Sequence, residues 1–434
     1  MLRGILIVVA LIPGICASVD AAERPNVVLI VSDDHGWNDY SFMGHPHVKT
    51  PQIDRIAREG VTFRRGYVPS SLCCPSLASI ITGLYPHQHK VTSNDPPVPP
   101  GVAGREFHQS AAFREGREIM NAHLAAVPTL PRLMGDLGYR SLQTGKWWQG
   151  NFRHGGFTHG MTEGSRHGDQ GLEIGRKTMQ PMFDFITESR EGKQPFFVWY
   201  APMMPHEPHT PPERLYEKYR DVAPSPHVAR YWAMIEWFDE TVGQLLDYLD
   251  HQKLTENTIV IYVADNGWIQ NVDGPHYAPG SKQSPYDGGL RTPILIRWPG
   301  HIQPRSDATS LAMSIDIAPT LLRALGQSPA VNLQGINLLD EQALARRKAI
   351  FGECFTHNAV DLNNPAANLR WRWIVSDEWK LIVPDAKNEP GGQAELYHIV
   401  ADPFEKQNLA PHETKLVTEF RRQLDAWWDP QTGN

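Results

Sequence analysis

Cysteine is scarce in this chain, with four in 434 residues. One of them, Cys16, falls in an amino-terminal segment built like a secretory signal: Arg3, then the apolar run Ile5 to Ile12, then small residues from Ala17 to Ala22. With residues 1–22 read as a cleaved signal peptide, Cys73, Cys74 and Cys354 remain, an odd number that excludes a disulfide scaffold. Long apolar runs are lacking as well. The run in the signal is too short to span a bilayer and nothing later is long enough, so the expectation is an exported protein, periplasmic or extracellular, with no membrane span. Long runs of one charge sign are absent, and the modest formal charge of −7 argues against nucleic acid as a partner. No internal repeat or low-complexity segment occurs.

What is present is turn-forming and aromatic. The 35 glycines and 36 prolines put many residues in loops, and the 13 tryptophans supply flat apolar faces of the kind sugars stack against, although most tryptophans serve cores. "RPNVVLIVSDDHGW" reads as a buried strand, Val27 to Ser32, that breaks into a polar loop at Asp33 and Asp34. An apolar strand ending in carboxylates is how an α/β sheet offers ligands at its carboxyl edge. "TPQIDRIAREG" then carries Thr50 as an N-cap, Pro51 at the first helical position, Ile53, Ile56 and Ala57 at helical spacing, and Gly60 as a stop.

The alternation recurs. "TLPRLMGDLG" is a helix followed by the short segment "YRSLQTGKW", "PFFVWYA" is a strand, and Val228 to Leu249 is a long helix leading into the strand "TIVIYVADNG". "PILIRW" and "AIFGEC" add two further strands. The expected fold is therefore α/β, a mostly parallel central sheet with helices on both faces. The tail differs: "RWRWIVSDEWKLIVP" and "AELYHIV" read as antiparallel strands and "ETKLVTEFRRQLDAWW" as a closing amphipathic helix. A small antiparallel α+β subdomain is expected over residues 365–434, after a larger unit at 23–364 that ends in the "LNNPAAN" loop near Pro365.

"SSLCCPSLASIITGLYPHQH" places two of the few cysteines at a helix start. With Pro75 as the first helical residue, Leu77, Ile80, Ile81 and Leu84 fall on one stripe, and Cys73 stands just before the N-terminus, where free N–H groups lower a thiol's pKa. Two plainer readings stay open: a pair of buried small hydrophobes, or half of a zinc site with His87 and His89, which the adjacent spacing disfavours.

The ordered set of strand–Asp–Asp, "TPQIDRIAREGVTF", Cys-x-Pro-Ser, "TGLYPHQH", "GYRSLQTGKW", "APMMPHEPH", "VADNG", "SKQSPYDGGLRTPILIRWPG" and "WKLI…ELYHIVADPFEKQNLA" resembles the formylglycine-dependent sulfatases of the alkaline phosphatase superfamily. The resemblance covers nearly the whole chain after the signal. It implies that Cys73 is oxidised to Cα-formylglycine by a formylglycine-generating enzyme. One hydroxyl of the hydrated aldehyde then attacks sulfur and expels the alcohol, and collapse of the other releases sulfate, a covalent route that splits a hard step in two. It further implies a divalent ion, Ca²⁺ before Mg²⁺, held by Asp33, Asp34, Asp265 and Asn266, with Lys146, His206 and Lys282 binding sulfate and protonating the leaving oxygen. Without the resemblance, the same residues read as polar strand ends, a loop-forming Asp-Asn-Gly turn and solubilising lysines.

Two residues depart from the family pattern. Leu77 stands where the maturation motif has arginine, and Trp148 stands where "GKWHLG" would place a histidine beside the nucleophile. His35, His87, His89, Asn94 and His276 are the polar residues near the motifs that could turn inward as replacements. Three readings follow: an active sulfatase of a divergent branch, a phosphodiester or phosphonate monoester hydrolase of the same superfamily, and an unmatured glycan-binding homologue. The smaller positive charge disfavours phosphate. The implied substrate is a carbohydrate sulfate ester, with an N-sulfoglucosamine-type sulfamate as the alternative. His357, Asp361, Arg370 and Arg372 are expected either at the substrate rim or as ordinary surface charges.

Overall fold

The computed structural model describes residues 24–102, 104–328 and 333–432; the segment 1–22, expected to be a signal peptide, lies outside them. The larger sheet has eight strands, β1 (Asn26–Ser32), β2 (Val61–Tyr67), β3 (Arg140–Gly145), β4 (His159–Gly160), β5 (Phe196–Ala201), β6 (Thr258–Ala264), β7 (Ile294–Arg297) and β8 (Arg305–Met313), in the order β4-β3-β5-β1-β6-β7-β2-β8. Every residue of β1 is buried, which is why it reads as an unbroken apolar run rather than an alternation. β7 alone runs against its neighbours. The chain leaving β6 stays at that strand's carboxyl edge through residues 265–293 and re-enters the sheet from the same edge, which forces the antiparallel pairing.

The longer helices are α1 (Pro51–Glu59), α2 (Cys73–Thr82), α3 (Ala111–Ala125), α4 (Gln180–Glu191), α5 (Pro226–His251), α6 (Ile317–Ala324) and α7 (Thr414–Trp427). Because successive side chains of a strand point to opposite faces, β1 feeds two cores. Val27, Leu29 and Val31 pack with α2 and α6 on one face. Val28 and Ile30 pack with Ile53 and Ile56 of α1 and Met234, Phe238 and Val242 of α5 on the other.

A second, antiparallel sheet follows in the order β12 (Glu395–His398), β11 (Trp379–Pro384), β10 (Leu369–Ser376), β9 (Ala349–Phe355), with Phe420 and Leu424 of α7 in its core. "AIFGEC" is β9 of this sheet, paired along its length with β10. Sequence had grouped it with the larger sheet, and an apolar strand does not carry the identity of its partner. Pro365 sits in the short helical turn Pro365–Asn368 that joins β9 to β10.

α2 also begins earlier than its sequence suggests. Cys73 is its first residue and Leu72 its cap, so Pro75 lies within the first turn, where its missing N–H has no helical partner to lose. All ten residues of α2 are buried, not one stripe, and Leu84 lies beyond Gly83, which closes the helix at φ 72°. Gly145 ends β3 with φ +72°, and a Cβ there would stand 1.9 Å from the carbonyl oxygen of Ala201 at the end of β5. This close approach sets the course of the residue that follows, Lys146.

Candidate active site

The parallel register of β1 and β6 pairs Ser32 with Ala264. The residues just beyond, Asp33 with Asp34 and Asp265 with Asn266, are therefore delivered side by side at the carboxyl edge of the sheet, and all four are at most 2% exposed. Asp34 turns in at φ 60°, and its backbone N–H donates to Asp265 Oδ1 at 3.0 Å. The amide nitrogen of Asn266 donates to Asp34 Oδ1 at 2.7 Å. β3 supplies Lys146, whose Nζ donates to Asp33 Oδ1 at 2.6 Å and lies 3.6 Å from Asp265 Oδ2. β5 leads to His206, with Nε2 3.5 Å from Asp34 Oδ2. The loop before β7 brings Lys282 to 2.7 Å from Asp34 Oδ1.

Cys73 enters this cluster from α2. Its sulfur, a carboxylate oxygen of Asp33 and a ring nitrogen of His206 lie within 4.8 Å of one another, as do carboxylate oxygens of Asp33, Asp34 and Asp265. All eight residues expected at the site from sequence thus converge.

The electrostatics follow from burial among mixed charges. Burial opposes ionisation of Asp34, but Lys282, His206 and Lys146 overcome it and hold the carboxyl below its usual range. Asp265 has no such surplus: burial and the neighbouring Asp33 push it up to about 7. Burial also works against the charge on Lys146, yet Asp33 and Asp265 keep it a firm cation. His206 is lowered to about 3 by burial and Lys146, which makes it a neutral imidazole. The thiol of Cys73 is raised to about 12 by burial, against the pull of Lys146 and Lys282. That reverses the expectation drawn from its place at a helix start: desolvation outweighs the helix terminus and both lysines.

Three oxygens test whether the pocket suits a cation. Asp33 Oδ2, Asp265 Oδ2 and Asn266 Oδ1 are buried without a hydrogen-bond partner in the protein. Orphaned buried acceptors are costly, and a set of hard oxygen donors on two adjacent strand ends fits Ca²⁺ or Mg²⁺.

Leu77 and Trp148 are each 1% exposed and belong to the same apolar cluster. Of the proposed polar replacements, His35 is bonded to Ser32 and the Asp39 carbonyl, His87 to Glu353, and His89 to Ser79. Asn94 accepts the N–H of Cys74, and only His276, paired with Glu207, reaches the rim of the site cavity. The expected rim residues are tied elsewhere: Arg370 to Glu389, Arg372 to Asp425, His357 to Asn358, and Asp361 to the N–H of Asn363.

The cavity above His206 has a volume of about 700 Å³ and is lined by His167, His209, His227, His276 and Arg230. It reaches the carboxylate cluster through His206 alone; a second cavity, of about 470 Å³ between Trp37, Trp232, Trp268 and Phe404, is lined by none of the eight clustered residues. His167 and its neighbour Arg166 were missed in the sequence because they sit in "EGSRHGDQG", which has no periodicity to give a side chain a direction.

Against known proteins, the sulfatase family profile matches residues 25–327, and the profile for the C-terminal region of N-sulphoglucosamine sulphohydrolase matches residues 280–428. The chain belongs to the sulfatase family, and its class of reaction is sulfuric ester hydrolysis. N-acetylgalactosamine-6-sulfatase of Mus musculus is 26% identical over 93% of this chain and 87% of its own length. N-acetylgalactosamine-6-O-sulfatase of Bacteroides thetaiotaomicron is 25% identical over 93% of both chains. A putative sulfatase of Bacteroides fragilis shares the fold, with TM-score 0.73 and 22% identity over 95% of this chain and 97% of its own.

Proposed function

We propose that this chain removes sulfate from a sulfated carbohydrate, with Cys73 matured to Cα-formylglycine and a divalent ion, Ca²⁺ before Mg²⁺, held by Asp33, Asp34, Asp265 and Asn266. The observation that carries the reading is a buried cluster of three carboxylates, two of them with an oxygen that lacks a hydrogen-bond partner, sharing Asp33 with a buried cysteine whose charged neighbours include Lys146 and Lys282. Formylglycine would supply a hydroxyl nucleophile that a protonated thiol cannot, and the ion would polarise a sulfate oxygen as a Lewis acid.

The remaining work falls to the chain's own groups. Lys146 and Lys282 are buried cations paired to Asp33 and Asp34, preorganised to meet negative charge on sulfate oxygens. His206 gives its Nδ1–H to the Glu207 carbonyl, so its Nε2, 3.5 Å from Asp34 Oδ2, carries no proton. The charge of an arriving ester favours a proton there, which places an acid beside the leaving oxygen. The names of the mouse and Bacteroides relatives support N-acetylgalactosamine 6-sulfate as the first substrate to offer. Among the described residues no helix is long and apolar enough to cross a membrane, which fits export through the segment 1–22 and maturation by a formylglycine-generating enzyme on the way.

The test is mass spectrometry of the Cys73 peptide from protein made in its native host, with sulfate release from N-acetylgalactosamine 6-sulfate measured on the same sample. An aldehyde or its hydrate at Cys73 with turnover is expected; two intact thiols with no turnover would sink the reading. The ion has its own test. Stripping it leaves three buried carboxylates against two lysines, and with ion in excess by 100 to 1,000 times its dissociation constant the loss is about 3–4 kcal/mol. Melting in EGTA is expected to fall by roughly 4 °C and to recover with Ca²⁺. An unchanged melting point, with no ion found by elemental analysis, would remove the metal from the proposal.

A further inference from the structure

Trp148 fills the place from which a histidine would reach the nucleophile, yet an imidazole stands over the cavity all the same. It comes from a different segment. His167 lines the cavity beside His206, with ring centroids 5.9 Å apart, and stands edge-on to Trp148 at 4.5 Å.

Its orientation is set from behind. Asp95 is buried, its backbone N–H donating to the His357 carbonyl and its own carbonyl accepting from Ala359 at 2.9 Å. Its carboxylate takes both arms of Arg166, Nε at 2.9 Å and Nη2 at 2.8 Å, the two-bond geometry that fixes a guanidinium in one plane. That guanidinium lies 4.6 Å from the Trp148 ring centroid. The remaining arm, Nη1, lies 2.8 Å from His167 Nε2. A guanidinium only donates, so Nε2 must accept, and the ring proton is on Nδ1. Among the described residues no protein acceptor is paired with Nδ1.

The backbone is held to match. His167 has φ 74° and Asp169 φ 51°, left-handed values that a non-glycine residue adopts only when its surroundings require it. Asp169 Oδ2 secures the turn by accepting from the N–H groups of Glu163, Gly164 and Ser165, each at 2.9 Å. The His167 carbonyl accepts from Trp147 at 3.1 Å, which ties the turn to the segment that carries Lys146.

We propose that His167 is a substrate-contacting residue, donating its Nδ1–H to an oxygen of the bound sulfate group, with Asp95, Arg166 and Trp148 as the residues that position it. The inference rests on the proposed function, in which Cys73 gives rise to the nucleophile and His206 is the acid beside the leaving oxygen. Burial, Lys146 and Arg166 keep the ring neutral. It therefore adds a hydrogen bond without adding charge, which suits a singly charged sulfate ester better than a doubly charged phosphate ester.

His167→Ala, His167→Asn and His167→Gln decide the matter, because the amide nitrogen of asparagine overlays Nδ1 and that of glutamine overlays Nε2, and asparagine tolerates the left-handed backbone. Two readouts are used: kcat and KM on 4-nitrocatechol sulfate at matched formylglycine content, and calorimetric binding of inorganic sulfate in a Cys73→Ala background. The alanine variant is expected to lose roughly 10- to 100-fold in kcat/KM and about 10-fold in sulfate affinity, with asparagine within about threefold of His167 and glutamine no better than alanine. Sulfate bound equally well by the alanine variant, or rescue by glutamine as good as by asparagine, overturns the assignment. Absence of formylglycine throughout counts against the proposed reaction instead, and the binding comparison still decides the role of His167.

Discussion

Replacing Cys73 by alanine is expected to abolish turnover, by roughly 10⁴-fold or more in kcat, and to leave the fold intact. The thiol is fully desolvated and raised to about 12, so at neutral pH it is protonated and unable to attack an ester. Turnover by the wild-type protein is then expected to come from the formylglycine proposed at Cys73. The loss of one sulfur from the first turn of a buried helix costs about 1 kcal/mol. Cys74→Ala is the matched control. Its sulfur accepts from Gln149 Nε2 at 3.1 Å, and the Coulombic neighbours that act on it are Arg117 and Asp95 rather than Lys146 and Lys282. Turnover is expected to stay within a few-fold there, at a similar small loss in stability. Activity surviving in Cys73→Ala, or dying equally in Cys74→Ala, would show that the adjacent cysteines had been assigned the wrong way round or to the wrong chemistry. The contrast also explains why two cysteines stand side by side: one faces the carboxylates and the other packs beneath them.

The parts of this site that sequence exposed are those tied to a repeating backbone rule. Asp33, Asp34, Asp265 and Asn266 follow apolar strands directly, and neighbouring parallel strands end at one edge, so their convergence follows once the strands are recognised. Lys146, His206 and Lys282 were reachable only through the order of motifs, because each sits in a loop whose course depends on distant packing such as Gly145 against Ala201. What stayed hidden was side-chain direction. His35, His87, His89 and Asn94 are as near the motifs in sequence as any functional residue, yet each turns to a partner of its own. His167 does the reverse, reaching the cavity from an aperiodic turn. The reversed thiol pKa has the same origin, since a helix start is visible in sequence while burial on every side of that helix is a tertiary fact. β9 joined the smaller sheet for a comparable reason: strand partners are chosen by topology rather than by composition.

Lys380→Met is expected to be the most destabilising single change, at about 3–5 kcal/mol, or a fall in melting temperature of roughly 4–6 °C. Lys380, on β11, is 0% exposed and reaches Asp287 Oδ1 at 2.8 Å and Glu405 Oε1 at 2.9 Å. Asp287 also accepts from the Tyr67 hydroxyl at 3.0 Å, and its backbone N–H donates to Glu405 Oε2 at 2.6 Å. Methionine matches the shape and removes the only buried cation among the described residues that pairs with both carboxyls, so the cost is that of unpaired buried charge. Its pH dependence distinguishes this from poor packing. Burial and Asp287 raise the Glu405 carboxyl from 4.5 to about 7 even with Lys380 present. A carboxyl raised in the folded state stabilises below the lower of these values and loses that contribution as pH rises through the upper one. Without Lys380 the proton is held more tightly still, so the deficit is expected to be smaller at pH 5.5 than at pH 8. An equal deficit at both would point to packing alone. The network also reaches the chemistry, because Asp287 ends the loop that carries Lys282 to Asp34. A chain that tolerates Lys380→Met enough to fold is therefore expected to bind inorganic sulfate more weakly and to show a higher KM with a smaller change in kcat, since the loosened loop must be ordered again each time the anion arrives.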